Sequence, residues 1–314
     1  MSVGAVQAPR LAGRDMISVR DFTREEILFI LGVARQFEQE RRPLLQGKVL
    51  ATLFYEPSTR TRLSFESAMT RLGGSYLGFA DMRVSSTTKG ESLQDTIRVV
   101  EGYCDIILIR HPVEGAARLA AETTKLPVVN GGDGANQHPT QTLLDLYTIR
   151  ESRGRLEGLK VAFLGDLKYG RTVHSLIEVL AKFGNLFSLI APPGLGLPRD
   201  LLEDLDEAHV QYEAAETLSA LDPGVDVIYT TRIQKERFPD ALEYERVQNT
   251  YHLDRAAISR FRDDVTIMHP LPRVTEIDPE LDAHPGSAYF LQARNGVTVR
   301  KAILSLLLGV YDGA

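Results

Sequence analysis

The chain has 314 residues, 43% hydrophobic and 25% charged, which is enough for two compact domains of ordinary globular composition. Its net charge of −6 disfavours a general nucleic-acid-binding protein, which needs a basic face. The single cysteine, Cys104, excludes an internal disulfide, and no apolar run reaches the ~18 residues of a membrane span. We therefore expect a soluble, cytoplasmic protein that binds neither nucleic acid nor membranes.

The first half of the chain alternates helical and strand-like segments. Residues 21–40 carry apolar side chains at helical spacing, and Thr23 with Glu26 forms a capping-box pattern at the start. Helical segments then separate short runs that are apolar on both faces, at 48–56, 105–110 and 126–130. This alternation predicts a parallel sheet with helices on both sides.

The alternation restarts after a charged, glycine-containing stretch at 151–158, which suits a domain boundary. Further strand-like runs follow, with helices between them: LKVAFLGD, LFSLIAP, VDVIYTTR and VTIMHP. We therefore predict an α/β fold of two doubly wound parallel-sheet domains, residues 1–150 and 151–314. The helix that begins with HPTQTLL is expected to bridge them, and the last helix, at 296–310, is expected to pack back across the domains.

In parallel sheets, ligands bind beyond the carboxyl ends of the strands, and FYEPSTRTRLSFESA at 54–68 marks one such end. Ser58 or Thr59 is the expected N-cap of a helix, whose dipole and free N–H groups favour an anion such as phosphate. The alternative is a serine cap followed by solvated arginines. Because Arg60 and Arg62 are two positions apart, they point to nearly opposite sides. We assign Arg60 to the ligand and Arg62 to a structural or subunit contact.

Two more strand ends in the first half carry polar side chains. LIRHP places Arg110 where it can enter the cleft. NGGDGANQHPTQ brings His138 and Gln141 to one face of a first helical turn. His138 with Asp133 is a candidate metal site, but no second histidine stands at ligand spacing. A hydrogen-bonding imidazole is the preferred interpretation, and no metal is expected.

GDLKYGRT, from Gly165 to Thr172, nearly matches the nucleotide phosphate loop G-x-x-x-x-G-K-S/T. Arg171 stands in place of the lysine. Its planar fork suits a carboxylate bound by two hydrogen bonds, so an acidic substrate is preferred over a nucleotide. A phosphotransferase with a degenerate phosphate loop is the alternative.

The last strand ends add Arg232 with Gln234, and then HPLP at 269–272. The two prolines fix the backbone and leave carbonyl oxygens as acceptors, and one proline bond is a candidate for the cis form. The polar loop at 81–92, which contains Lys89, lacks periodicity. It suits a segment that reaches a neighbouring active site or closes over a ligand.

Together, STRTR, HPTQ and HPLP resemble the carbamoyltransferase family, in order and spacing, from about residue 15 to the end. DLKYGRTVHS and TRIQKER are similar to aspartate-binding elements, and Pro270 stands where the ornithine-specific members carry cysteine. The resemblance implies transfer of a carbamoyl group from carbamoyl phosphate to L-aspartate in de novo pyrimidine biosynthesis. The products would be N-carbamoyl-L-aspartate and phosphate.

The resemblance also implies the site residues. Carbamoyl phosphate would be held by Ser58, Thr59, Arg60, Thr61, Arg110, His138, Gln141, Pro270, Leu271 and Pro272. Aspartate would be held by Lys89, Arg171, Thr172, Arg232, Gln234 and Leu271, with Ser85 and Lys89 supplied by the adjacent subunit of a homotrimer. The catalytic residues would be Arg60, Thr61, Arg110 and His138, without a cofactor. Domain closure would bring the substrates together.

The sequence leaves other classes open. Besides the transferase and the phosphotransferase, a non-catalytic relative could bind small anions. Regulatory chains that enlarge the trimer are a further hypothesis, because HPVEGAARLA and TRIQKERF look similar to members that form regulated assemblies.

Overall fold

The structure is a computed structural model that describes residues 9–39, 41–81, 83, 86–233 and 251–311. The chain divides into two compact units, Met1–Leu143 with Asn295–Ala314 and Leu144–Arg294. Each unit contains one parallel sheet, of four and five strands respectively. The predicted α/β class with two parallel sheets is therefore confirmed, while the boundary between residues 150 and 151 stays a prediction.

The first unit has the strand order β2-β1-β3-β4. Its strands are β1 (Val49–Phe54), β2 (Ser75–Phe79), β3 (Ile106–His111) and β4 (Val128–Asp133). Its helices include α1 (Arg24–Gln36), α2 (Thr59–Arg71), α3 (Leu93–Val100), α4 (Ala116–Thr123) and the first turn of α5 (Pro139–Arg153). The strand order reverses between β1 and β3, which is where a ligand site is expected in such a sheet.

The second unit has the strand order β7-β6-β5-β8-β9. Its strands are β5 (Lys160–Leu164), β6 (Leu186–Ile190), β7 (Tyr212–Ala215), β8 (Val227–Thr230) and β9 (Thr266–Met268). Its helices include α6 (Arg171–Ala181), α7 (Arg199–Glu207) and α8 (Arg255–Ile258), and α9 (Tyr289–Leu307) begins in it. Here the order reverses between β5 and β8.

Local sequence signals explain several of these elements. The capping box at the start of α1 is present: Thr23 Oγ1 accepts from the Glu26 N–H at 3.2 Å, and the Glu26 carboxylate accepts from the Thr23 N–H at 2.9 Å. The central strands are buried on both faces, as their apolar runs predict. The sequence does not reveal β2 and β7, because both are short, partly exposed edge strands without a continuous run of large apolar residues.

Each unit has its own apolar core. In the first unit, Ala51, Leu53 and Ile107 from the sheet pack with Ile97 of α3 and Ala120 of α4. In the second unit, strand residues pack with the segments that carry α8 and the start of α9. Within the described ranges, no helix is both long and apolar enough to cross a membrane.

Candidate active site

The carboxyl ends of β1, β3 and β4 meet at one edge of the first sheet. Phe54, the last residue of β1, is in register with Arg110 in β3, and the Tyr55 N–H donates to the Arg110 carbonyl at 2.9 Å. Ile109 is in turn in register with Asn130 in β4. The α2 and α5 helices begin in the segments that follow β1 and β4, so this edge gathers their N-termini next to Arg110.

The start of α2 has several features that were predicted for an anion site. Ser58 is the N-cap with extended backbone angles of −156° and 104°, and its side chain makes no capping hydrogen bond to the described helix. Thr59 and Arg60 follow and are exposed. The first turn contains no acidic residue, so the positive end of the helix dipole is not neutralised within the helix.

Thr61 and His138 bring these two helix starts into contact. Thr61 Oγ1 lies 3.4 Å from His138 Nε2, and both residues are 4% exposed. The His138 carbonyl accepts from the Gln141 N–H at 3.0 Å and from the Thr142 N–H at 3.2 Å, which starts α5. The imidazole is thus fixed at the N-terminus of a helix, with Gln141 one turn further along the same helix.

Arg110 is held by two acceptors and is 8% exposed. Its Nη1 donates to the Gly131 carbonyl at 3.1 Å, and its Nη2 donates to Glu56 Oε1 at 3.2 Å. Glu56 lies between the end of β1 and the start of α2, so it aligns the guanidinium with the helix N-terminus. The guanidinium is always protonated, and Glu56 partly compensates its charge at the buried strand end.

Asp133 shapes the turn that leads to His138. Its carboxylate accepts four hydrogen bonds, from Asn130 Nδ2 at 2.8 Å, Gln137 N at 3.1 Å, Asn136 Nδ2 at 3.1 Å and Gly115 N at 2.9 Å. Among the residues that the structure describes, no group of three or more His, Cys, Asp or Glu side chains is arranged to hold a metal ion. The carboxylate therefore acts as a structural acceptor for the glycine-rich turn.

Arg60 and Arg62 have different surroundings. Arg62 Nη1 lies 3.6 Å from Oε1 of Glu66 one turn along α2, and Thr52 Oγ1 donates to the same oxygen at 3.4 Å. Glu66 is 7% exposed, so Arg62 balances a buried charge. Arg60 is exposed at the first turn of the helix.

In the second unit, the ends of β5 and β8 lie side by side. Leu164 is in register with Thr230, and the Thr231 N–H donates to the Leu164 carbonyl at 2.8 Å. Gly165 has φ of +117°, and a Cβ there would overlap the Thr231 carbonyl oxygen, so only glycine fits. Arg232 follows directly and lines a pocket in this unit with Gly165, Thr231, Tyr251 and Glu276, among others.

The loop from β5 to α6 is organised by the fully buried Asp166. Its Oδ1 accepts from the Tyr169 N–H at 2.9 Å, and the Arg171 N–H donates to the Tyr169 carbonyl at 3.0 Å. A phosphate loop directs such N–H groups at its ligand, whereas here two of them bond within the chain and a carboxylate lies inside the loop. Arg171 begins α6 and is partly exposed. This geometry disfavours the phosphotransferase alternative.

His174 secures the same loop from inside α6. Burial lowers the pKa of its imidazole, so the neutral ring donates from Nε2 to the Leu167 carbonyl at 2.7 Å. The loop that leads to Arg171 is therefore held by hydrogen bonds to the Asp166 carboxylate and to the Leu167 carbonyl.

The HPLP segment follows β9 in a constrained conformation. His269 is 1% exposed, its Nδ1 accepts from the Leu271 N–H at 2.8 Å, and its Nε2 lies 2.7 Å from Glu276 Oε1. Leu271 has φ of +57°, which is unfavourable for a residue with a side chain. The Leu271–Pro272 bond is cis, so the expected cis proline bond is confirmed. Pro270 and Leu271 are partly exposed, and Pro272 is exposed.

Glu276 is a buried acid whose pKa reflects two opposed influences. Burial alone would raise the pKa, but the hydrogen bond and charge of His269, together with backbone N–H groups that include that of Val274, lower it below the usual value. The carboxylate is therefore ionised at neutral pH, next to the pocket that Arg232 lines.

Comparisons with known proteins agree with this geometry. The family model for the carbamoyl-phosphate-binding domain of aspartate/ornithine carbamoyltransferase matches residues 14–151, and the model for the Asp/Orn-binding domain matches residues 157–307. The chain belongs to the aspartate/ornithine carbamoyltransferase family.

Individual members of this family are similar over nearly the whole chain. The aspartate carbamoyltransferase catalytic subunit of Thermococcus onnurineus is 54% identical over 96% of this chain and 99% of that protein. The solved catalytic subunit of Methanocaldococcus jannaschii aspartate transcarbamoylase is 52% identical with a TM-score of 0.88, covering 96% of this chain and all of that one. Aspartate transcarbamoylase from Trypanosoma cruzi in complex with carbamoyl phosphate and aspartate is 38% identical with a TM-score of 0.90, covering 96% and 99%.

The structure describes most, but not all, of the site residues that the family resemblance implies. Ser85 and Gln234 lie outside the described residues. Lys89 ends the short turn Ser86–Lys89 in the first unit and is exposed. Its assignment to a neighbouring subunit's site stays a prediction, since the structure contains one chain.

Sequence reasoning missed three acids in the segments that follow strands of this chain, namely the partly exposed Glu56 and the buried Asp166 and Glu276. Glu56 and Asp166 each follow an apolar strand within two residues, which is a signal that could have found them. Glu276 has no comparable signal, because its partner His269 lies seven positions away across an irregular loop.

Proposed function

We propose that this chain transfers the carbamoyl group of carbamoyl phosphate to the amino group of L-aspartate, giving N-carbamoyl-L-aspartate and phosphate. The observation that carries the proposal is the convergence of the α2 N-terminus, Arg110 and the Thr61–His138 pair at one edge of the first sheet. These groups suit a ligand that combines a phosphate with a carbonyl. The named ligands of the solved Trypanosoma cruzi relative support the same pair of substrates.

The phosphate end of the first substrate is assigned to Ser58, Thr59 and Arg60. Two hydroxyls and the first-turn N–H groups of α2 provide donors, and Arg60 provides a full positive charge. As the reaction proceeds, charge accumulates on the departing phosphate. The same groups then stabilise the leaving group more strongly than they bind the substrate, which is the condition for catalysis.

The carbonyl end is assigned to Thr61, Arg110 and His138, with Gln141 beside them. The aspartate amine attacks the carbonyl carbon, a C–N bond forms, and negative charge develops on the carbonyl oxygen. Each preorganised donor to such an oxygen is worth about 3 to 4 kcal/mol in other enzymes. The C–O bond to phosphate then breaks, and the phosphate accepts the proton of the amine.

The aspartate end is assigned to the second unit and to a loop from another chain. Arg171, Thr172 and Arg232 have the charges and donors that two carboxylates need. The carbonyl oxygens of Pro270, Leu271 and Pro272, which the strained Leu271 backbone holds in place, are assigned to carbamoyl phosphate, and Leu271 is assigned to aspartate as well. Gln234 and, from an adjacent subunit, Ser85 and Lys89 complete the proposed set.

One assay tests the reaction. The purified protein is incubated with carbamoyl phosphate and either aspartate or ornithine, and ureido product is measured. Product with aspartate alone is expected. A folded protein that forms no product with either amino acid would point to the non-catalytic anion-binding alternative, and magnesium-dependent turnover of a nucleotide would point to the phosphotransferase.

The larger assembly and cellular role are part of the same proposal. A homotrimer would let Ser85 and Lys89 serve a neighbouring site, and regulatory chains could bind such a trimer. Native mass measurement, alone and after mixing with candidate partner chains, tests both. Assignment to pyrimidine biosynthesis in the cytoplasm rests on the product, N-carbamoyl-L-aspartate, and on the sequence composition.

A further inference from the structure

We propose that Asp145, a buried residue of α5, is a positioning residue that sets the geometry of two separate segments of the second unit. One segment begins α6 with Arg171 and Thr172, and the other is the HPLP segment at 269–272. This inference rests on the proposed function, because it concerns how the aspartate-binding and carbonyl-bearing groups are held.

Asp145 is connected by its two carboxylate oxygens to two different side chains. Oδ2 accepts from the Tyr229 hydroxyl at 2.8 Å, and Oδ1 accepts from Gln292 Nε2 at 2.6 Å. Asp145, Tyr229 and Gln292 are 0%, 0% and 1% exposed, respectively. Tyr229 lies in the middle of the sheet on β8, whereas Gln292 lies in the first turn of α9.

The Tyr229 arm reaches the start of α6. Burial and the nearby charge of Asp145 raise the pKa of the phenol well above its usual value, so the hydroxyl stays protonated and donates to the carboxylate. The phenol oxygen in turn accepts a hydrogen bond from the Thr172 side chain. Thr172 is the second residue of α6, directly after Arg171. The direction of the Arg171 fork therefore depends on a chain that ends at Asp145.

The Gln292 arm reaches the HPLP segment. While its amide nitrogen donates to Asp145, its Oε1 accepts from the His269 N–H at 2.9 Å. His269 is the first residue of the segment, and its ring fixes the backbone N–H of the strained Leu271. Rotation of the Gln292 amide would break both bonds, so Asp145 also determines the orientation of this segment.

A role in stability alone is the competing explanation. Burying an acid is costly, and an apolar side chain of similar size would often stabilise a core equally well. A carboxylate is required here only because Tyr229 and Gln292 both donate to it. The oxygen of each of these two side chains is then left to accept a hydrogen bond from a different segment. The two explanations predict different kinetics. If Asp145 is a positioning residue, removing the link through Tyr229 or the link through Gln292 should weaken the binding of one substrate more than that of the other.

The test compares single-arm variants of the full-length chain. Tyr229→Phe removes the hydroxyl that links Thr172 to Asp145, and Gln292→Met removes the amide that links His269 to Asp145. Loss of one hydrogen bond of ordinary strength predicts a five- to tenfold effect, roughly. Tyr229→Phe is expected to raise the KM for aspartate by about that factor while the calorimetric Kd for carbamoyl phosphate changes less than about twofold. Gln292→Met is expected to weaken carbamoyl phosphate binding.

Asp145→Asn should impair both arms, because an amide can accept from only one of two donors. Tyr212→Phe is the matched control, since the Tyr212 hydroxyl donates to Asp206 at 3.0 Å on the surface of the same unit. It should leave both constants unchanged. The proposal is overturned if Tyr229→Phe lowers the melting temperature but leaves the KM for aspartate unchanged. It is also overturned if this variant changes the KM for aspartate and the Kd for carbamoyl phosphate by the same factor. If the wild-type chain itself fails to carbamoylate aspartate, the proposed function fails. If the wild-type chain is active but Tyr229→Phe gives one of the contrary results above, only the role of Asp145 fails.

Discussion

Thr61 Oγ1 lies 3.4 Å from Nε2 of His138, although 77 positions separate the two residues in the chain. The contact exists because β1 and β4 belong to the same sheet, so the helices that follow them begin at the same edge. Each residue lies at the N-terminal end of its helix, where the backbone already favours negative charge. We therefore expect this pair to stabilise a developing oxyanion.

Removing either side chain of this pair should mainly lower kcat. We expect Thr61→Ala and His138→Ala each to lower kcat by roughly 10² to 10³, the usual effect of losing one oxyanion donor. The double variant should fall short of the product of the two effects, because the side chains act as a unit. Steady-state rates with saturating carbamoyl phosphate and aspartate measure this.

Thr70→Ala is the matched control for Thr61→Ala. Thr70 lies on the same helix, but its hydroxyl is bonded to the Glu66 carbonyl at 2.8 Å and its side chain is exposed. Its loss should leave kcat unchanged. Equal rate losses in Thr61→Ala and Thr70→Ala would mean that the helix, and not the Thr61–His138 pair, is responsible.

Arg60→Ala and Arg62→Ala should separate turnover from assembly. Arg60 is exposed at the N-terminus of α2, and its loss should nearly abolish turnover while the melting temperature stays close to that of the wild type. Arg62 pairs with the buried Glu66 at 3.6 Å, so its loss should leave that charge poorly compensated and lower the melting temperature. Because we assign Arg62 to a structural or subunit contact, its loss should also weaken assembly more than turnover. Rates, melting curves and sedimentation of both variants test the assignment, and the reverse pattern would refute it.

The separation of Arg60 from Arg62 shows how far the sequence alone can lead. Helical spacing is enough to place these residues on different sides of α2, and the apolar runs are enough to predict the central strands. The edge strands β2 and β7 are not predicted, because half-exposed strands have no continuous apolar run. Long-range side-chain partners such as Tyr229 and Asp145, 84 positions apart, follow only from the packed fold.

Acidification should reveal the pairing of Glu276 with His269. Because the folded-state pKa of Glu276 lies below its ordinary value of 4.5, its ionised form stabilises the fold at higher pH. That contribution is fully present above the unfolded pKa and is lost as the pH falls through the folded pKa. The difference in unfolding free energy between wild type and Glu276→Gln should therefore be constant near neutral pH and shrink below about pH 4.5.

Denaturant titrations of both proteins at several pH values between neutral and acid provide the measurement. A difference that stays constant across this range, or grows on acidification, would contradict the assigned direction of the pKa shift.

Gly165→Ala should destabilise the second unit by more than the unfavourable φ angle of residue 165 alone would cause. A Cβ at Gly165 meets the Thr231 carbonyl in addition to the unfavourable φ of +117°. We expect a loss of about 1 to 3 kcal/mol in unfolding free energy, together with a higher KM for aspartate, because Arg232 follows Thr231. Gly184→Ala is the control: its φ is also positive, at +64°, but a Cβ there has nothing within 4 Å. If Gly184→Ala destabilises the protein as much as Gly165→Ala does, the close approach of β5 and β8 is not what requires glycine.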